Sequence, residues 1–245
     1  MSAETWRDAE AYAYQRDLSL GGVAWEFLRR NADYRSACVP SPSSAVAATD
    51  WGLSFVADPR LDATRQPIFW RPQLYARTVI LARSVGVAAA AQVFDPAKWP
   101  GRLEERHGAD GAHYLLVIGA EEHRLWAPIP LDPGAGLTVL QPLDDHLSIR
   151  VEAACRFFRR LCKPAASATP ARTDPTARRA TQMLRALDAQ AAQVSRRVIA
   201  EVVLGARCAN ARQWEDSAER AATARLLRCG ADLIAGGYRR LLSRG

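Results

Sequence analysis

The chain has 245 residues, 49% of them hydrophobic and 24% charged, with a formal net charge of +7. That is enough apolar material for a real core divided into two or three modules, and the absence of any run of eighteen apolar residues excludes a membrane-spanning helix. Nineteen of the thirty-three Lys and Arg but only eight of the twenty-six Asp and Glu lie between Arg150 and Gly245, leaving that stretch eleven positive charges in excess and the first 149 residues four negative. Screening over roughly 10 Å means that only concentrated charge steers a polyanion, so the basic part is the candidate working end.

The start, Met1-Ser2-Ala3-Glu4, has neither the basic opening nor the apolar middle of a signal peptide, and a cytoplasmic address is expected. Cys38, Cys155, Cys162, Cys208 and Cys229 are odd in number and form no CxxC pair. They are therefore expected to be reduced and mostly buried, in neither a disulfide framework nor a zinc ribbon.

Thr5 to Arg30 reads as two helices broken at Gly21-Gly22. Six aromatic residues, Trp6, Tyr12, Tyr14, Trp25, Phe27 and Tyr34, load this short piece, more than a helix pair can bury by itself. It is expected to pack within the chain or against a partner, with Trp6, Trp25, Phe27 and Tyr34 as the candidate protein-interaction residues. Pro40-Ser41-Pro42-Ser43-Ser44 then reads as a linker.

Past Trp51 the periodicity turns extended. Thr78–Leu81, His113–Ile118 and His123–Ile129 read as strands, the last two as a hairpin across Gly119 to Glu122, and Leu137–Leu140 as an edge strand. A small antiparallel sheet is expected. All four His fall here, at His107, His113, His123 and His146, but their spacing fits no compact ligand set, and no metal or cofactor is expected.

Leu147 opens a helix with Ser148 as N-cap, an apolar face of Val151, Ala154, Cys155, Phe158 and Leu161 or Cys162, and a basic face of Arg156, Arg159, Arg160 and Lys163. Pro164 to Thr173 reads as a tether. Asp174-Pro175 starts the next helix, with Ala177, Ala180, Met183, Leu184 and Leu187 on one stripe. Ser195 caps a shorter one that Gly205 ends in the left-handed conformation. Asp216 or Ser217 caps a third, which runs to Ala235 and stops at Gly236-Gly237.

The helix from Asp174-Pro175 and the one capped by Ser195 form a helix-turn-helix candidate, with the Ser217 helix following as a third. A recognition helix sets its N-terminal residues against base edges while flanking cations hold phosphates. On this register Ser217, Arg220, Ala221 and Ala224 are the readers, Arg225 and Arg228 lie further along, and Arg196 and Arg197 meet the backbone. The connection from Gly205 to Ser217 exceeds the three or four residues of a standard motif, leaving open which helix enters the groove. The fold class expected is α+β, mainly α, with three modules: residues 1–75 as an N-terminal aromatic-rich helical pair with linker, 76–163 as a small antiparallel sheet plus a basic helix, and 174–245 as a helix-turn-helix variant.

Leu184-Arg185-Ala186-Leu187-Asp188, Ile199-Ala200-Glu201-Val202-Val203-Leu204-Gly205, Trp214, Arg225-Leu226-Leu227-Arg228 and Gly236-Gly237-Tyr238-Arg239-Arg240-Leu241-Leu242 together resemble the helix-turn-helix variant of transcriptional activators and antiactivators of proteobacterial integrative and conjugative elements. Trp6-Arg7-Asp8-Ala9, Trp25 to Asn31, Tyr34-Arg35 and Phe69-Trp70-Arg71-Pro72 resemble the small domain fused ahead of it in the activators. The resemblance implies an activator of excision and transfer that binds double-stranded promoter DNA, with an antiactivator protein and RNA polymerase as partners. The alternative is an antiactivator or adaptor that binds a regulator protein instead of DNA. No Gly-rich phosphate loop, GxSxG, HExxH or paired-carboxylate arrangement points to an enzyme.

Overall fold

The computed structural model describes residues 5–38, 48–85, 92–119, 121–162, 175–207 and 211–244. In chain order come two 3-10 segments, Thr5–Arg7 and Glu10–Asp17, then α1 (Leu20–Leu28) and α2 (Ala32–Ala37). Strands β1 (Val79–Arg83), β2 (Arg102–Gly108), β3 (Gly111–Ile118), β4 (Glu121–Ala127) and β5 (Leu137–Leu140) follow. The remainder is helical: α3 (Leu147–Cys162), α4 (Pro175–Ala191), α5 (Arg196–Ile199) continued by a widened turn through Ala200–Leu204, α6 (Ala211–Glu215), α7 (Ala218–Asp232) continued through Leu233–Gly237, and α8 (Arg239–Leu242). The architecture is α+β and mainly α.

Two compact units emerge, and neither is continuous in sequence. The first joins residues 1–41, 58–65 and 172–241; the second joins 42–57, 66–171 and 242–245. The N-terminal aromatic helices thus share a unit with α4 to α8.

In the first unit, Ser19 caps α1 by accepting from the Gly22 amide at 3.2 Å, so the chain breaks before Ser19 and Gly21-Gly22 lie inside the helix. The expected break at the glycines is displaced to the Ser19 cap, and Gly22 packs inside the helix, where a Cβ would lie 3.2 Å from Leu18. Trp6, Trp25, Phe27 and Tyr34 are at most 2% exposed. Their assignment as a partner surface is corrected: these rings are core, with Trp25 set edge-on to Tyr34 and its indole N–H donating to the Leu61 carbonyl at 3.1 Å. The packing also admits ions. Arg30 donates to both carboxylate oxygens of Asp188 at 2.9 Å and to Glu26 at 2.9 Å, Arg29 reaches Glu26 at 2.8 Å, and the Tyr12 hydroxyl donates to Asp188 at 2.6 Å. Burial alone would lower the Arg30 pKa, but its bonds to Asp188 and Glu26 outweigh that and raise it. A charge cluster of this kind holds together only when complete, because one missing partner strands the others away from water.

In the second unit the sheet order is β2-β3-β4-β1-β5. The β3–β4 hairpin and edge strand β5 are where the sequence placed them, but the sheet is mixed: β1 runs parallel to β4 and antiparallel to β5. Val79, Ile80 and Leu81 are buried and call for neighbours on both sides, so the strand enters the sheet interior. Strand β2, Arg-Leu-Glu-Glu-Arg-His-Gly, escaped the sequence reading because an edge strand with mostly exposed residues carries no apolar alternation.

Helix α3 covers the sheet with Ala153 and Phe157, within a core that includes Val79, Leu81, Tyr114, Leu116 and Leu125. Its buried residues are Arg150, Ala153, Phe157 and Arg160, so the inward face is rotated from the one expected. Val151 and Phe158 are exposed instead. The cause is pairing with carboxylates: Arg150 bonds Asp144 at 2.9 Å and Arg160 bonds Glu121 at the start of β4, which neutralises both guanidinium groups. Ser148 lies within the helix, and Asp144 receives the His146 amide just ahead of it. Cys155 and Cys162 are exposed and Cys38 and Cys229 half-buried, which corrects the expectation of buried thiols; Cys208, the linker and the tether lie outside the described residues.

Candidate nucleic-acid interface

The helical scaffold of the first unit is set by short-range signals. Pro175 opens α4, whose Ala180, Met183, Leu184, Ala186 and Ala189 are buried. Ser195 accepts from the Val198 amide and starts α5, which buries Ile199, Ala200 and Val203 and ends at Gly205 in the left-handed region, φ 72°. Ser217 accepts from the Arg220 amide at 3.2 Å and donates to the Trp214 carbonyl at 2.9 Å, fixing the start of α7. A Cβ on Gly230 would sit 2.7 Å from Leu187, so this glycine permits the close approach of α7 to α4. The helix kinks at Gly236, φ 130°, before α8 returns Tyr238, Leu241 and Leu242 to buried positions.

Helix α7 buries Thr223, Leu226, Leu227 and Gly230. That choice dictates the opposite face, where Ala218, Ala221, Arg225, Arg228 and Asp232 follow one another at spacings of three and four and are all exposed. The guanidinium groups of Arg225 and Arg228 have no carboxylate partner among the described residues. Two small side chains ahead of two free cations make a low helix start with charge behind it. That shape lets this face of the helix approach a deep, negatively charged groove closely, since its first two positions, Ala218 and Ala221, are small.

The other candidates divide. Ser217 is the cap, and Arg220, though exposed, donates to the Glu215 carbonyl at 3.1 Å, so both serve the helix start. Ala224 is half-buried on the flank. On α5, Arg196 is exposed, whereas Arg197 is tied to Glu201 at 3.0 Å. Arg185 is occupied inside the unit, donating to the carbonyls of Trp6 and Arg7 at 3.1 Å. Arg240 bonds Asp232. Exposed Arg207 and Arg212, in the connection before α7, were not singled out from the sequence because they sit on no periodic pattern.

Residues 140–243 match a family described as T6SS, Transcription factor, DNA binding domain, and residues 5–56 match one described as Proteobacterial transcriptional regulator-like domain. The first match takes in α3 to α8 and the second the N-terminal aromatic helices. No curated protein and no solved structure matches the chain. The two family matches support a transcriptional regulator with DNA as a partner, and both describe regulatory domains, not enzymes. Among the described residues, no helix is long and apolar enough to cross a membrane.

Proposed function

We propose that this protein is a transcriptional activator that reads double-stranded promoter DNA with α7, using Ala221, Arg225 and Arg228 at the groove and Arg196 at the phosphate backbone. The observation that carries the reading is the exposed face of α7, where the guanidinium groups of Arg225 and Arg228, without a carboxylate partner among the described residues, follow the small side chains of Ala218 and Ala221 in a segment matching a DNA-binding domain. Arg220 and Ser217 enter as residues that hold the helix start, and Arg197 supports α5 through Glu201.

The regulated genes are those for excision and transfer of an integrative and conjugative element, as the resemblance of the Leu184–Asp188, Ile199–Gly205 and Gly236–Leu242 segments implies. An opposing antiactivator protein and RNA polymerase are its protein partners in that reading. The T6SS transcription-factor family that residues 140–243 match favours a second class of target, T6SS genes.

Genomic immunoprecipitation of the tagged chain tests both. Recovery of promoters of excision and transfer genes supports the first reading, recovery of secretion-gene promoters replaces it with the second, and recovery of no enriched promoter overturns direct DNA binding. A salt series on a recovered duplex completes the test. Binding that neutralises phosphates weakens with salt at a log–log slope of about −0.9 per contact.

A further inference from the structure

Helix α3 has a second face that the sheet leaves untouched. Its inner side is fastened by Ala153 and Phe157, with Arg150 held to Asp144 and Arg160 to Glu121. Opposite lie Ser148, Val151, Cys155, Phe158 and Cys162, at spacings of three, four, three and four residues. All five are exposed, Phe158 at 55% and Val151 at 42%. This alternation of threes and fours is the spacing of a two-helix coiled-coil seam, and the exposed Val151 and Phe158 on it face away from the sheet that the helix covers.

The charges beside the seam say what covers it. Glu152 directly follows Val151 and Arg159 directly follows Phe158, so one acid and one base stand on the same edge, two turns apart. Neither has an ion-pair partner among the described residues, and Arg159 donates only to the Cys155 carbonyl of its own helix, at 3.3 Å. When two copies of such a helix pack antiparallel, this edge faces its own counterpart, and Glu152 of each copy meets Arg159 of the other. Parallel packing sets the same edge against Ala154 and Leu161, which offer no charge.

We propose that α3 is a self-association surface on which two copies of this chain pair antiparallel, with the seam between Val151 and Cys162 as the contact. The contact is isologous and closes at two copies, and it does not depend on the DNA reading. The occupant is a second copy because the edge charges complement themselves in sign and order.

Sedimentation velocity of the full chain across a micromolar range, without DNA, tests this. A dimer is expected, and Phe158→Glu weakens it by at least roughly thirtyfold, as for a buried aromatic anchor. Glu152→Arg and Arg159→Glu each weaken it several-fold, and the double exchange restores it. These surface exchanges keep the question answerable if Phe158→Glu fails to fold. Orientation is read by a short bis-maleimide on chains retaining only Cys155 or only Cys162. At a rise of about 1.5 Å per residue, antiparallel packing brings the two Cys155 within about 5 Å along the helix axis and leaves the two Cys162 more than about 15 Å apart. Crosslinking through Cys155 alone is therefore expected. A chain monomeric throughout, a dimer indifferent to Phe158→Glu and to the charge exchange, or equal crosslinking through both cysteines overturns the proposal.

Discussion

Helices α3 and α7 are both amphipathic and both rich in arginine, yet they dispose their charges in opposite ways. In α7 the leucines go inward and Arg225 and Arg228 outward. In α3 the inward set includes Arg150 and Arg160, while Val151 and Phe158 face out. The difference lies in what each helix meets: α3 meets the carboxylates of Asp144 and Glu121, whereas α7 packs on the apolar stripe of α4. A net positive charge therefore locates a candidate region, but the carboxylates folded against each helix decide which arginines remain available to a polyanion.

The sharpest way to break the contrast is to attack a committed arginine. Arg30→Ala leaves Asp188 and the fully buried Glu26 without their shared cation and is expected to cost about 3–5 kcal/mol of folding stability. A fall of that size in the urea-unfolding free energy, with the denaturant slope unchanged, confirms the assignment; a loss under 1 kcal/mol, within the range of ordinary surface changes of roughly ±0.5 kcal/mol, refutes it. Trp25→Ala belongs to the same class, at about 3–5 kcal/mol. Its effect on activation then follows from lost structure in the unit that also holds α7, not from loss of a partner contact.

Acid should reveal the second unit. His123 is buried beside Phe157, and burial, followed by the charge of Arg156, pushes its pKa down to about 4. The folded state thus prefers neutral His123. Its contribution to stability is complete above the unfolded value near 6.5 and is lost as pH falls from there towards 4, at about 1.4 kcal/mol per pH unit. Chemical denaturation between pH 7 and pH 4 should show this loss, and His123→Phe should flatten the profile. A variant that keeps the full pH dependence removes His123 as its source.

The same contrast explains what could be read in advance. Ser195, Gly205 and Ser217 act over three to five residues, so the starts and stops of α5 and α7 were visible in sequence. The face of α7 was visible only in part: a stripe of Ala222, Leu226, Cys229 and Leu233 puts Arg225 and Arg228 outward, as they are, but the buried side is turned to Thr223, Leu226, Leu227 and Gly230, where α7 closes on α4 through Gly230. The face of α3 was not visible, since the partner that draws Arg160 inward is Glu121, 39 residues away. Likewise the Arg30–Asp188 pairing spans 158 residues, and only half of its cluster, Glu26 with Arg30 at the i,i+4 spacing, left a local trace. The aromatic helices looked like a separate module for the same reason: the segment that completes their packing, residues 58–65, and α4 are remote in sequence.

Arg160→Ala and Arg225→Ala give an intermediate comparison. Removing Arg160 strips Glu121 of the hydrogen bonds that hold its carboxyl below the usual carboxylate range, and a measurable loss of stability is expected. Removing Arg225 takes away an exposed side chain with no ion pair, and its stability effect should stay within roughly ±0.5 kcal/mol. Equal thermal shifts for the two would mean that the structural distinction between them is wrong.

The smallest effect on folding should carry the largest consequence for DNA. Arg225→Ala and Arg228→Ala each remove a cation from the exposed face of α7 without disturbing Thr223, Leu226, Leu227 or Gly230 behind it. If such a residue contacts phosphate, its loss weakens binding to promoter and scrambled duplex alike and reduces the salt slope by about 0.9; if it reads a base edge, the promoter suffers more, by about 1–3 kcal/mol. Arg196→Ala should show the first pattern, with equal losses on both duplexes, because a cation at the start of α5 is placed for the backbone. Arg220→Ala should show neither in full, since its guanidinium is engaged with the Glu215 carbonyl and its removal acts through the start of the helix. Fluorescence anisotropy of these four variants on the two duplexes separates the roles. Retention of wild-type affinity and slope by the Arg225→Ala, Arg228→Ala double variant would move the DNA contact off α7, and with it the functional meaning of having kept those two arginines unpaired.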